Sequence, residues 1–132
     1  MLSGESVEEK HITNGRKIME DRAAFETALE SFRAASEEVL LAHFARMEFT
    51  FAVPFIETAS RRGPKYVKLW RGETHTGSEP RINSIHAFVE IATGDIFKPA
   101  STKAPAKHKR GNIYEDAGRA CLTDAGHVAY MR

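Results

Sequence analysis

A chain of 132 residues that is 42% hydrophobic and 28% charged fits one folded domain and excludes a disordered polymer. Its formal net charge is +1, and no apolar run approaches the roughly 20 residues that span a bilayer, so no membrane span is expected. A single cysteine, Cys121, excludes an internal disulfide framework and points to a reducing compartment.

The small net charge conceals an asymmetry. Residues 1–48 hold ten acids against six Lys/Arg, whereas residues 49–132 hold eight against thirteen. Segregated charge of this kind bears on partners rather than on fold.

The opening MLSGESVEEKH is acidic and polar, unlike a secretory signal. Residues 1–18 lack a steady hydrophobic period and read as a flexible N-terminal arm. Residues 19–132 read as a single α+β domain. Between Glu20 and Met47 there is no Gly or Pro, and Phe25, Leu29, Phe32, Leu40, Phe44 and Met47 recur at helical spacing. That pattern predicts one long amphipathic helix with its apolar stripe on a core. From Glu48 to Phe55 the alternation is strand-like, although the helix also has the option of running on to Pro54. A helical turn is expected from Ile56 to Gly63.

Lys65–Arg71 is a strand candidate with Tyr66, Lys68 and Trp70 on one face and Val67 and Leu69 on the other. The polar loop Gly72–Pro80 leads to a second strand, Ile82–Ile91. Here Ala87, Val89 and Ile91 share a face, opposite His86, Phe88 and Glu90. Ala92-Thr93-Gly94-Asp95 suits a hairpin turn, and a return strand stops at Pro99. Asn112–Leu122 reads as a short helix weakened by Gly118, and His127–Met131 as a terminal strand or tail. Together these elements predict an α+β fold. A long N-terminal amphipathic helix packs on a small antiparallel sheet of three to four strands, with a short C-terminal helix or strand.

Motifs for catalysis are missing from the sequence. The six histidines have no zinc-type spacing, and there is no HExxH, CxxC, Walker loop, GxGxxG or GxSxG. Cys121 sits in an apolar pattern and reads as a small buried hydrophobe. No metal, cofactor or catalytic residue is expected, and the chain is not expected to be an enzyme.

Two basic stretches carry the functional signal. Thr58–Gly72 holds Arg61, Arg62, Lys65, Lys68 and Arg71 without an acid. Lys98–Arg110 holds Lys98, Lys103, Lys107, Lys109 and Arg110, again without an acid, in a Pro/Ala-rich run that reads as an extended loop able to track phosphates. Tyr66 and Trp70 interleaved with Lys68 add rings for base stacking. The expected interface therefore comprises Tyr66, Lys68, Trp70, Arg71, Lys98, Lys103, Lys107, Lys109 and Arg110. Nucleic acid is the expected partner, with single-stranded DNA favoured over duplex. The alternative is an acidic protein partner engaging the same loop. The limited core of so small a sheet also leads to an expectation of homo-oligomers.

The run TGDIFKPASTKAPAKHKRGNIY, Thr93 to Tyr114, resembles a TGDI(F/Y)KPAS…KAPAK…RGN pattern of small bacteriophage and viral-metagenome proteins. This chain departs from it at Thr102, where the pattern has an aromatic residue. The resemblance implies a non-enzymatic phage protein, either a nucleic-acid-binding accessory or a virion or protein-interaction component, in the cytoplasm of an infected bacterium. The order helix, three strands, helix is also similar to that of the double-stranded RNA-binding domain.

Overall fold

The computed structural model describes residues 7–129, with side chains described from residue 19 onward. The arm expected over residues 1–18 lies outside the residues whose side chains are described. Helix α1 (Val7–Arg46) is followed by five strands: β1 (Ala52–Thr58), β2 (Tyr66–His75), β3 (Arg81–Glu90), β4 (Asp95–Pro99) and β5 (Pro105–Asn112). A short 3-10 segment, Asp116–Cys121, comes last. The strands form one antiparallel meander in the order β1-β2-β3-β4-β5. The α+β fold is as predicted, but the sheet has five strands rather than three or four.

Helix α1 buries the stripe read from the sequence: Phe25, Leu29, Phe32, Leu40 and Phe44 all lie in the core. Met47 is exposed, because the chain has left the helix by then. Glu48 adopts a left-handed conformation (φ 57). Its amide donates to the Ala45 carbonyl (3.1 Å) and the Phe49 amide to the Phe44 carbonyl (3.0 Å), the hydrogen-bond pair of a Schellman cap. The rings of Phe44 and Phe49 pack edge-on at 5.2 Å, the apolar contact that accompanies such caps.

Strand β1 runs on to Thr58, where a helical turn was expected. It tolerates Pro54 because it is an edge strand. Helix α1 covers part of that edge: the Ile56 amide donates to Glu37 Oε2 (2.9 Å) and the Ile56 carbonyl accepts from Arg33 (3.1 Å). Arg33 is itself held by Glu30 and Glu37, and these carboxylates raise its pKa. Glu37→Ala strips the Ile56 amide of its acceptor and loosens Arg33. The expected loss is about 1–3 kcal/mol, read as a lower urea midpoint.

Val67 and Leu69 of β2, Ala87 and Val89 of β3 and Ile96 of β4 meet α1 in the core, together with Ile113, Cys121 and Val128. The β2–β3 register shifts at two places, and the one beside Leu69 bears on the core. Leu69 pairs with Ala87 and Trp70 with Ile85, so His86 is the extra residue of a β-bulge. The bulge turns His86 inward, away from the face it was assigned with Phe88. There its Nε2 lies 2.9 Å from Ser36 Oγ and its ring stacks on Phe32 at 5.7 Å.

The basic Pro/Ala run is not an extended loop. Ser101 Oγ accepts from the amides of Lys103 and Ala104 (3.2 Å each), and the Ala100 amide donates to the Ala104 carbonyl (3.0 Å). This tight turn sends residues 105–112 back along β4 as strand β5. Nor does Asn112–Leu122 form an α-helix. Asn112 closes β5, and Ala117 (φ 54) and Gly118 (φ 73) break the 3-10 segment. Gly118 is required where it lies: a Cβ there would come within 2.6 Å of the Phe32 ring. Of the expected terminal strand, Val128 makes one isolated bridge to Leu122, and residues 130–131 lie outside the described residues. The element order of a double-stranded RNA-binding domain is therefore not reproduced.

Candidate nucleic-acid interface

Helix α1 covers one face of the sheet, and the opposite face of β2 carries Tyr66, Lys68 and Trp70, all partly exposed. Beside them on β3 lies Phe88, paired across the strands with Lys68 and with Phe97 of β4. The Tyr66 ring stands edge-on to Phe88 (6.0 Å) and Phe97 (5.8 Å), so its orientation is fixed from below. The β1–β2 loop rises on one side and the β4–β5 turn on the other. Between them runs an open groove of about 510 Å³, lined by Tyr66, Trp70, Phe88 and five cations (Arg61, Arg62, Lys65, Lys68 and Lys103) and by no carboxylate.

These cations are held in different ways. Lys68 donates to the Thr102 carbonyl (2.6 Å), and its ammonium lies 5.8 Å from the Trp70 ring centre and 5.7 Å from that of Phe88. It thus ties the β4–β5 turn to the aromatic floor. Arg62 grips Glu26 of α1 through two bonds (2.8 and 3.0 Å). Lys65 lies over Tyr66 and 3.8 Å from Glu90. Arg61 and Lys103 make no ion pair among the described residues, so their charge is available to a ligand.

The groove joins the two basic stretches. Of the residues singled out in the sequence, Tyr66, Lys68, Trp70 and Lys103 meet there. Lys107 and Lys109 are exposed on edge strand β5, Lys109 opposite Phe97 and 3.7 Å from Asp95. The other three do not join them. Arg71 follows Trp70 and points to the helix side, where it lies against His127. Lys98 follows Phe97 and donates to the Val128 carbonyl (2.7 Å) on that same side. Arg110, whose charge acts on Lys98, is half-buried near it. Adjacent strand residues face opposite ways, so a basic run in sequence splits between two surfaces. Arg61, Arg62 and Lys65 belong to the groove although single-residue reasoning did not select them. The acid-free stretch Thr58–Gly72 was the signal for all three.

Cys121 is buried, with its thiol pushed up to about 11 by desolvation and its Sγ 3.2 Å from the Gly118 carbonyl. Among the described residues, no three His, Cys, Asp or Glu side chains gather to hold a metal ion. No helix among them is long and apolar enough to cross a membrane.

Comparison with known proteins gives a family whose function is unknown. No curated protein and no solved structure matches the chain. A family model described as a family of unknown function (DUF7717) matches residues 26–131, from the middle of α1 through the whole sheet. Because that match spans most of the chain, the protein belongs to the DUF7717 family.

Proposed function

We propose that the chain binds single-stranded nucleic acid, DNA in preference, along the groove between the β1–β2 loop and the β4–β5 turn. One observation carries this reading: fixed aromatic rings and five cations share an open groove lined by no carboxylate. Bases stack on Tyr66 and Trp70 without sequence preference, while Arg61, Lys65, Lys68 and Lys103 meet phosphates. Lys107 and Lys109 extend the cationic track along β5. The chain then acts as a non-enzymatic accessory protein in the cytoplasm of an infected bacterium, the setting implied by the resemblance of residues 93–114.

Trp70 is the sole tryptophan and lies in the groove, so its fluorescence reports occupancy directly. Titration with oligo-dT is expected to quench it. The log of the affinity should fall linearly with log salt, by roughly 0.7 per phosphate neutralised. An unchanged signal, together with flat anisotropy of a labelled strand, would exclude the proposal.

A protein partner is the second reading, favoured by a different surface. Met47, Phe49, Phe51 and Val53 form an exposed apolar run at the end of α1 and the start of β1. Capture of an acidic protein by this surface and the groove, without salt-steep binding to oligo-dT, is the result that would favour it.

A further inference from the structure

The helix side of the sheet holds a second cluster of cations, separate from the groove. Arg71 on β2 and Lys98 on β4 gather near His127 of the C-terminal turn, and Arg110 on β5 lies close enough to act on Lys98. The Arg71 Nη1 nitrogen lies 3.2 Å from Nε2 and 3.3 Å from Nδ1 of His127. Lys98 reaches the neighbouring Val128 carbonyl. Among the described residues, Arg71, Arg110 and His127 have no carboxylate partner. Arg110 stands out further: its Nε and Nη1 nitrogens are buried and have no hydrogen-bond partner among the described residues. Buried guanidinium donors are normally paired, and an unpaired set marks a missing partner.

The side chains also sense one another's charge. Burial and then the charges of Arg71, Lys98 and His43 lower the His127 pKa. Lys98 is lowered by burial and then by Arg110. His86, underneath, feels His127, Arg71 and Lys98 after its own burial. Positive groups drawn from three strands and the C-terminal turn thus crowd together, with the spare donors of Arg110 among them. The arrangement is self-repelling as it stands, and a doubly charged oxyanion would relieve it.

We propose that Arg71, Lys98, Arg110 and His127 form an oxyanion site whose ligand is a phosphate group, free or esterified. Guanidinium forks match phosphate oxygens in pairs, and His127 is the exposed member through which the ligand approaches. This site lies across the sheet from the groove and does not depend on the reading of that groove.

The test uses the full chain, with inorganic phosphate and thymidine 5′-monophosphate as separate probes against sodium chloride of equal ionic strength. Both thermal unfolding and the His127 ring resonances are followed. Phosphate is expected to raise Tm by several degrees and to raise the His127 pKa, since an anion among Arg71, Lys98, Arg110, His43 and His86 favours the imidazolium. A larger response to the nucleotide assigns an esterified phosphate; an equal response assigns the phosphate itself. Arg110→Gln and, independently, Arg71→Gln should each abolish the Tm rise. Should either variant fail to fold, the His127 titration of the unmodified chain decides alone. Equal Tm and equal His127 titration in phosphate, nucleotide and chloride would overturn the assignment.

Discussion

Replacing Tyr66 and Trp70 together with alanine is expected to weaken oligo-dT binding by at least about thirtyfold, measured by anisotropy of a labelled strand. A stacked base contributes roughly 1–3 kcal/mol, so two lost rings remove about 2 kcal/mol or more, and each 1.4 kcal/mol is tenfold. Both rings are partly exposed, so truncation leaves the core cluster of α1 and the sheet intact. Substituting the lysines should behave differently. Lys107→Ala with Lys109→Ala lowers affinity for every sequence alike and flattens the salt dependence by up to about 0.7 for each phosphate no longer neutralised. Arg119→Gln is the control, because it removes an exposed cation that is paired with Glu38 of α1 and lies outside the groove. Unchanged affinity in the double-ring variant, with its circular dichroism preserved, would remove stacking from the proposed mechanism.

The long helix was legible from Glu20 onward because nothing there competes: no Gly or Pro intervenes before Arg46, and the stripe from Phe25 to Phe44 keeps its period. Strands β2 and β3 were legible for the same reason at period two. Strand β5 was not, since Pro105 to Asn112 has no apolar alternation. An edge strand is held by backbone bonds to one neighbour, so its side chains need not record the pairing. Pro54 left two readings open for the stretch before it, because proline stops a helix but is tolerated at a sheet edge. The bulge at His86 left no mark either. Whether a residue is inserted into a ladder depends on the partner strand, which local alternation does not contain.

The candidate interface was half legible. Linear clustering drew attention to both basic stretches, and the meander brings Lys103 of one to Lys68 of the other. Clustering cannot tell which face a lysine occupies, and so it merged two surfaces. Splitting them leaves an aromatic groove on one side and the cluster around Arg110 on the other. The sheet edges bear on self-association as well. β1 carries Pro54 and the Arg33–Glu37 clamp, and β5 presents Pro105, Lys107 and Lys109. Both edges are thus poorly suited to strand addition. Self-association of the chain, which we propose from its small core, would run through the exposed apolar residues around Phe51 and Val53 instead.

Acid is expected to destabilise the fold well above the range in which carboxylates titrate, and His86 is the main cause. Its ring is buried between Phe32 and Ser36 of α1, and desolvation, then the charges of His127, Arg71 and Lys98, push its pKa down to about 3 from the ordinary 6.5. The unfolded chain therefore takes up this proton first. The stability His86 contributes is complete above the unfolded value near 6.5 and is lost as pH falls from there towards 3. The loss runs at up to about 1.4 kcal/mol per pH unit. His127 is also lowered and acts in the same direction, and Glu30, lowered chiefly by its bond to Arg33, adds to the loss at still lower pH. Against a total stability of about 5–15 kcal/mol, such a slope between pH 6 and 4 is large. His86→Gln keeps a partner for Ser36 but cannot take up the proton. It should be less stable than the unmodified chain at pH 7 and lose less between pH 6 and 4. Urea midpoints at pH 7, 6, 5 and 4 measure both slopes, and parallel profiles for the two proteins would clear His86 of the effect.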